Sequence, residues 1–124
     1  MSKKIATNKA PEAIGPYSQA IVTGNLVFTS GQIPLNPETG NIEGETIKEQ
    51  AVRVCENLKA VLEAAGSSLD KAVKTTCFLQ NMEDFAEFNA VYAEYFTEKP
   101  ARSCVAARAL PKGVLVEVEV IAEV

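Results

Sequence analysis

Residues 114–123 alternate strictly between two kinds of side chain, and this pattern constrains the fold more than any other part of the sequence. One set is aliphatic: Val114, Val116, Val118, Val120 and Ala122. The other set combines three carboxylates with two apolar residues: Leu115, Glu117, Glu119, Ile121 and Glu123. Because successive side chains of a strand point to opposite faces, the pattern predicts a β-strand with a buried valine face. We expect helices to cover that face.

Two segments with helical periodicity are suited to cover the valine face. A first helix is predicted over residues 47–65, because Thr46 and Glu49 form a capping box and Gly66 can end the helix. Its apolar stripe consists of Ile47, Ala51, Val54, Leu58, Val61, Leu62 and Ala65. Asn81 is expected to cap a second helix over residues 82–96. The aromatic stripe of that helix, which we expect to lie in the core, consists of Phe85, Phe88, Tyr92, Tyr95 and Phe96.

Short apolar and β-branched segments predict the strands that complete the sheet. They are residues 3–7, 19–22, 25–30, 72–79, 101–109 and 114–122. The last two are expected to form a closing hairpin through a type I turn at Leu110-Pro111-Lys112-Gly113. The resulting order predicts one domain, residues 1–124, of the α+β class, with a single mixed β-sheet and two helices on one face.

The chain contains no histidine, and this absence limits the chemistry that it can perform. Ser-His-Asp and Cys-His catalysis are excluded, as is every metal site that contains histidine. The net charge of −4 disfavours nucleic acid as a partner, because nucleic-acid binding depends heavily on Lys and Arg that neutralise phosphates. We expect neither a metal nor a cofactor.

The cysteines and the N-terminus indicate the compartment. Cys55, Cys77 and Cys104 are odd in number and widely spaced, without a C-x-x-C motif, which argues for a reducing environment and against a disulfide framework. The first residues lack the apolar region of a signal peptide, and no apolar run is long enough to span a membrane. We therefore expect a cytoplasmic protein without a membrane partner.

Candidate site residues lie near the predicted strand ends. Glu117 lies on the mixed face of the last strand, which is either solvated or packed against another subunit around an enclosed carboxylate. Arg102 and Cys104 share a strand face, and an arginine offers a planar fork that matches a carboxylate, although a surface charge is the common alternative. Cys104 more commonly acts as a buried small apolar residue than as a nucleophile. Gly31 opens the 31–44 loop and allows a ligand to approach its backbone N–H.

Taken together, the motifs resemble the RidA family, also called YjgF, of imine and enamine deaminases. The resemblance runs through almost the whole chain, with the order and spacing of the family. It is carried by Ala10-Pro11, Ala13-Ile-Gly-Pro-Tyr-Ser18, Phe28-Thr-Ser-Gly-Gln-Ile-Pro34, Asn57-Leu-Lys-Ala60, Val73-Lys-Thr-Thr76, Phe85…Asn89, Pro100-Ala-Arg-Ser-Cys-Val105, Leu110-Pro-Lys112 and Val116-Glu-Val-Glu119.

The resemblance implies a chorismate-mutase-like subunit that forms a homotrimer with sites between subunits. It implies hydrolysis of 2-imino acids, such as 2-iminobutanoate and 2-iminopropanoate, to 2-keto acids and ammonia. Arg102 would bind the substrate carboxylate and Glu117 would position or deprotonate the attacking water. The Gly31 backbone and the Cys104 carbonyl would add polar contacts. The pocket or supporting residues that the resemblance implies are Tyr17, Ser30 and Asn89.

The chain departs from the family pattern after Val105, where it reads Ala106-Ala-Arg-Ala109. Many members carry an acidic residue next and the arginine one place later. On an alternating strand this shift would turn Arg108 to the other face.

The predicted hairpin separates the two principal candidates. If Ala109 pairs with Val114, Arg102 lies opposite Ile121, about 14 Å along the strand from Glu117. Either substrate and water bridge the two side chains, or a neighbouring chain supplies one of them.

Two other functions are compatible with parts of the sequence. The implied sites between subunits could instead belong to a ligand-sensing or chaperone-like protein that binds small molecules without turnover. A ribonuclease or translation inhibitor is an activity associated with some relatives, but the acidic charge and the missing histidine argue against it.

Overall fold

A computed structural model describes residues 2–124, which form one sheet of six strands with two α-helices. The strands are β1 (Lys3–Ile5), β2 (Ala20–Thr23), β3 (Leu26–Thr29), β4 (Ala72–Leu79), β5 (Ala101–Ala106) and β6 (Val116–Glu123). The helices are α1 (Ile47–Ala64) and α2 (Phe85–Tyr95). No helix within residues 2–124 has the length and apolarity needed to cross a lipid bilayer.

The strands lie in the order β1-β2-β3-β6-β4-β5, and every neighbouring pair is antiparallel except β4 and β5. The sheet is therefore mixed, and both helices pack on the same face of it, as predicted. The α+β class is confirmed.

The valine face of β6 forms the centre of the core. Val116, Val118, Val120 and Ala122 are buried, and the apolar stripe of α1 packs over them. Burying each such aliphatic side chain stabilises the fold by roughly 1.5–3 kcal/mol. The expected aromatic core is also confirmed, because Phe88, Tyr92 and Phe96 are buried, whereas Phe85 and Tyr95 are partly buried against the same cluster.

The helix ends follow the sequence signals. Thr46 Oγ1 accepts a hydrogen bond from the Glu49 N–H, and Glu49 Oε1 accepts one from the Thr46 N–H, which completes the capping box. Gly66 adopts a left-handed conformation with a φ of 83° after α1. Asn81 accepts from the Glu83 N–H at 2.9 Å, but one 3₁₀ turn, Met82–Asp84, precedes α2.

The predicted hairpin between residues 101–109 and 114–122 is wrong. β5 pairs in parallel with β4, and β4 separates it from β6. A helical crossover through α2 allows parallel neighbours, and the 107–115 connection then passes beyond the end of β4 to reach β6. Arg102 therefore pairs with Thr75 and does not lie opposite Ile121.

Two details of the connection between β5 and β6 also differ from expectation. β5 ends at Ala106, so strand alternation does not apply to Arg108. The turn at Leu110–Gly113 exists, with the Gly113 N–H donating to the Leu110 carbonyl at 3.1 Å. It is not of type I, because Lys112 has a φ of 57° where a type I turn requires a negative value.

Buried amides of α1 hold the 31–44 loop in place. The Asn57 side-chain amide donates to the carbonyls of Ile33 and Leu35 at 3.2 and 3.0 Å. Gln50 donates to the Gly44 carbonyl at 3.1 Å and accepts from the Leu115 N–H at 2.8 Å. The loop is thus fixed to the helix near both of its ends.

We expect Asn57→Ala to lower the free energy of unfolding by about 2–3 kcal/mol, because two loop carbonyls would lose their donor in a site closed to water. Urea denaturation of Asn57→Ala measures the loss. Lys59→Ala, an exposed change on the same helix, should stay within about 0.5 kcal/mol of the parent. Equal unfolding midpoints for Asn57→Ala and the parent would contradict the role of the Asn57 amide in fixing the loop.

Candidate functional site

A pocket of about 700 Å³ lies between the 10–19 segment, the start of the 31–44 loop and β6. Most of its wall is apolar, with a few polar side chains. Its lining includes Ile14, Tyr17, Ser30, Gly31, Ile33, Lys112, Glu117 and Glu119. A concave, mostly apolar site with few polar groups is the common form of a small-molecule site.

A strand irregularity brings Gly31 against Glu117. Phe28 pairs with Ile121, and Gln32 forms the next bridge, with Val118. Between these two pairs, three residues lie on the β3 side and two on the β6 side, so the β3 side carries one extra residue. The Val120 N–H inside this bulge donates to the Thr29 hydroxyl oxygen at 3.0 Å. Bulges of this kind commonly redirect a strand beside a functional site.

The absence of a side chain at residue 31 leaves room for the Glu117 carboxylate. A Cβ added at Gly31 would overlap Glu117 Oε2 and lie 2.9 Å from Cδ. Burial raises the pKa of the Glu117 carboxyl, and the nearby charge of Glu119 raises it further. A carboxylate whose pKa lies closer to neutral is better suited to exchange protons with a bound water.

Hydrogen bonds fix the segment that carries Tyr17. The Ser30 hydroxyl donates to the Ser18 carbonyl, and the Ser30 N–H donates to the Gln19 carbonyl at 2.8 Å. The buried amide of Gln19 donates to the Pro11 carbonyl at 2.7 Å. Tyr17 is 53% exposed at the pocket wall. Ser30 therefore supports the wall, and Tyr17 presents its ring there.

Arg102 lies in a second pocket, of about 420 Å³, on the helix-covered side of the sheet. Its Nη1 donates to Asn89 Oδ1 at 2.6 Å. Its Cζ lies 4.7 Å from the ring centroid of Tyr92 and 5.4 Å from that of Phe85. The guanidinium is half-buried at an edge strand and has N–H groups beyond the one that Asn89 accepts. This arrangement can bind an anion.

Cys104 follows Arg102 on the same strand face and pairs with Cys77. Burial raises the pKa of the Cys104 thiol, while the Arg102 charge opposes this rise. Cys104 is therefore predominantly protonated near neutral pH, which makes it a weak nucleophile.

The structure of one chain divides the predicted site residues between two pockets. Tyr17, Ser30, Gly31 and Glu117 lie around the first, whereas Asn89 and Arg102 lie in the second, with Cys104 beside them. The strand partners of Arg102 and Glu117 are three residues apart on β4, so their Cα atoms are separated by about 10 Å along the sheet and about 10 Å across it. Their side chains also point to opposite faces. One chain cannot bring both to the same small molecule.

The helix-free face of the sheet carries the β6 carboxylates together with exposed apolar side chains. Phe28 on β3 is 39% exposed beside the half-buried Ile121, and Val105 on β5 is 49% exposed. Exposed apolar side chains with polar neighbours are typical of an interaction surface.

The sequence did not reveal the two aromatic rings that contact Arg102. Phe85 and Tyr92 belong to the helical aromatic stripe, which the sequence assigns only to the core. Their contact with Arg102 follows from the parallel pairing of β5 with β4, which the predicted hairpin excluded. Ile14 and Lys112 belong to the family motifs, but nothing in the sequence placed their side chains at the first pocket.

Comparison with known proteins identifies the family. The sequence model described as endoribonuclease L-PSP matches residues 7–124. A RutC family protein of Pyrococcus abyssi is 56% identical to this chain, over 98% of both chains. The 2-iminobutanoate/2-iminopropanoate deaminase of Escherichia coli strain K12 is 50% identical, over 98% of both chains.

Solved structures agree with the sequence comparison. A member of the conserved Rid protein family from Yersinia pestis has a TM-score of 0.97 and 49% identity, over 100% of both chains. Escherichia coli TdcF, solved with bound serine, has a TM-score of 0.94 and 46% identity, over 98% of both chains. The chain therefore belongs to the endoribonuclease L-PSP family. Its matches lie among the RidA (YjgF) proteins of that family, which confirms the resemblance in the sequence.

We expect Gly31→Ala to displace the Glu117 carboxylate, because the new methyl group would occupy its position. The displaced group would be better hydrated, so the pKa of Glu117 should fall towards its ordinary value. Carboxyl carbon NMR of Glu117 over a pH titration measures this change. Gly24→Ala is a poor control because Gly24 has a φ of 58°. Ser103→Ala, at an exposed position outside this pocket, is preferable. An unchanged Glu117 titration in Gly31→Ala would contradict the proposed contact.

Proposed function

We propose that this protein hydrolyses 2-imino acids, such as 2-iminobutanoate and 2-iminopropanoate, to 2-keto acids and ammonia. The main observation that supports this proposal is the half-buried Glu117, whose pKa is raised, in a pocket of small-molecule size next to Gly31. The half-buried guanidinium of Arg102 supplies the complementary anion-binding group. The deaminase of Escherichia coli, at 50% identity, supports the same reaction.

The reaction needs three things from the protein: an anchor for the carboxylate, a placed water and a route for protons. Arg102 binds the substrate carboxylate through its remaining N–H groups. Glu117 accepts a proton as the water oxygen bonds to C2 of the imine, and passes it to the nitrogen to give a carbinolamine. Glu117 then accepts the carbinolamine hydroxyl proton and passes it to the nitrogen as the C2–N bond breaks and the C2=O bond forms. The oxygen stays in the keto acid, and both hydrogens of the water leave with ammonia. The Gly31 N–H and the Cys104 carbonyl complete the polar contacts, and Tyr17 lines the apolar wall.

The site is proposed to lie between subunits of a homotrimer. In one chain Arg102 and Glu117 point to opposite faces, so each needs a partner from another copy to act on one substrate. Two features support this assembly. The helix-free face, which carries Glu117, also exposes the apolar side chains of Phe28 and Val105, and Arg102 lies on the edge strand β5. Edge strands and apolar faces are surfaces that subunits commonly cover.

The reaction itself is tested by trapping imines with semicarbazide while a pyridoxal-phosphate dehydratase generates them. The wild-type chain should divert imine from the trap to the keto acid. Arg102→Ala should lower kcat/KM by roughly a hundredfold to a thousandfold while the fold is retained, since it removes the charged partner of the carboxylate. Arg102→Lys, which keeps the charge but loses the planar fork, should fall between the two.

Two outcomes with imino acids and one with RNA oppose the proposal. Unchanged kcat/KM in Arg102→Ala would remove Arg102 from the mechanism. Binding of imino or amino acids without any turnover by the wild-type chain would favour a non-catalytic metabolite-binding protein, a function that fits the serine bound to TdcF. Cleavage of RNA that co-purifies with the chain and disappears in Arg102→Ala would favour the ribonuclease activity named by the family description.

Sharing of the site between chains is tested by co-expressing Arg102→Ala and Glu117→Ala chains with different tags. Neither variant alone has a complete site. In a mixed trimer, one of the three interfaces combines an intact Arg102 with an intact Glu117, so random mixing should restore about one quarter of wild-type activity. Purified mixed trimers without any recovered activity would show that both residues act from the same chain.

A further inference from the structure

The guanidinium of Arg102 is held by an aromatic surface that the proposed mechanism does not use. The Tyr92 ring lies 4.7 Å from the Arg102 Cζ and the Phe85 ring lies 5.4 Å from it. Both distances are within the range of cation–π contacts. Asn89 accepts one N–H at the end of the same side chain. Three successive turns of α2, at Phe85, Asn89 and Tyr92, therefore contact the same arginine.

The orientation of the Tyr92 ring is itself fixed. The Tyr92 hydroxyl and Thr75 Oγ1 are 2.7 Å apart in a buried hydrogen bond. Phe96 stacks on the Tyr92 ring, with centroids 4.6 Å apart and an interplanar angle of 22°. A ring with both its hydroxyl and one face occupied has little freedom to turn.

The contacts of Tyr92 return to the strand next to Arg102. Thr75 on β4 is the strand partner of Arg102 on β5. The hydroxyl of Tyr92 is thus bound to the residue that sets the backbone position of Arg102, while its ring contacts the Arg102 side chain. One tyrosine fixes the guanidinium relative to the strand that carries it.

We infer that Tyr92 is a positioning residue for Arg102, which sets the direction of the free guanidinium edge before a carboxylate binds. This inference rests on the proposed role of Arg102 in binding a carboxylate. A free arginine side chain samples many rotamers, and ordering it upon binding weakens affinity. With the ring in place, that ordering is already achieved. The role of Tyr92 lies in its ring, and the hydroxyl serves to anchor the ring.

The inference separates the effects of two substitutions at one position. Tyr92→Leu removes the ring and should raise KM for a 2-imino acid by about 3- to 30-fold, with kcat changed much less. Tyr92→Phe keeps the ring between its neighbours and should stay within about threefold of the parent in KM. Inhibition by butanoate should weaken in Tyr92→Leu in proportion to KM, whereas inhibition by the neutral analogue butanamide should not.

Phe88→Leu is the matched control for the loss of a buried aromatic ring. Phe88 lies on α2, is buried and packs at an angle against Tyr92, with centroids 5.7 Å apart. The Phe88→Leu substitution should lower the free energy of unfolding as Tyr92→Leu does, but leave the ratio of butanoate to butanamide inhibition unchanged. If Tyr92→Leu does not fold, Phe85→Leu removes the other, half-buried ring and should raise KM in the same direction.

A spectroscopic measurement does not depend on turnover. The Nε–H resonance of Arg102, identified by its loss in Arg102→Lys, should carry a ring-current shift in the parent and in Tyr92→Phe, and lose most of it in Tyr92→Leu. If the wild-type chain does not hydrolyse imines, the proposed function is wrong. The Arg102 resonance still tests the contact between the guanidinium and the Tyr92 ring. A different result would overturn only the inference about Tyr92. In that case imine hydrolysis depends on Arg102, but Tyr92→Leu and Phe88→Leu change KM and butanoate inhibition by equal factors.

Discussion

The one-sided burial of β6 is the constraint on which the rest of the structure depends. β6 lies between β3 and β4, and its valines form the centre of the core under α1. Because strand side chains alternate, burying the valines sends Glu117 and Glu119 to the other face. A shift of the register by one residue would expose the core and bury the carboxylates, at a large cost in free energy. The position of the acidic group therefore follows from the packing of the core.

The position of the basic group depends on a different constraint, the crossover from β4 through α2 to β5. This connection places β5 in parallel beside β4 and lays α2 against both strands. The helix that connects the two strands then supplies Asn89 and Tyr92 to Arg102. The α2 helix thus both connects the two strands and supports the Arg102 guanidinium. The same topology leaves β5 at the edge of the sheet, where a second subunit can reach it.

The space around Glu117 is shaped by a local irregularity that the fold holds rigid. The extra residue after β3 brings Gly31 beside the carboxylate, and the amides of Asn57 and Gln50 fix the loop that follows. A pocket with walls tied in this way can keep a carboxylate poorly hydrated, which is the main reason that the pKa of Glu117 is raised. Pre-organised polar groups of this kind are what the addition of water to an imine requires.

The sequence by itself determined the features that depend on neighbouring residues. These include the caps at Thr46 and Asn81, the buried valine face, the order of the elements and the family motifs that bring Arg102 and Glu117 to attention. The caps, the valine face and the order of the elements follow from capping chemistry and periodicity, which are readable along the chain. The motifs that indicate Arg102 and Glu117 are recognised by their resemblance to a known family. The tertiary structure alone decided that β4 lies between β5 and β6, that Tyr92 contacts Arg102 and that Gly31 faces Glu117. Alternation specifies which face of a strand is buried, but the backbone hydrogen bonds that join strands are the same for every residue, so the choice of neighbour is set by the packing of the whole chain.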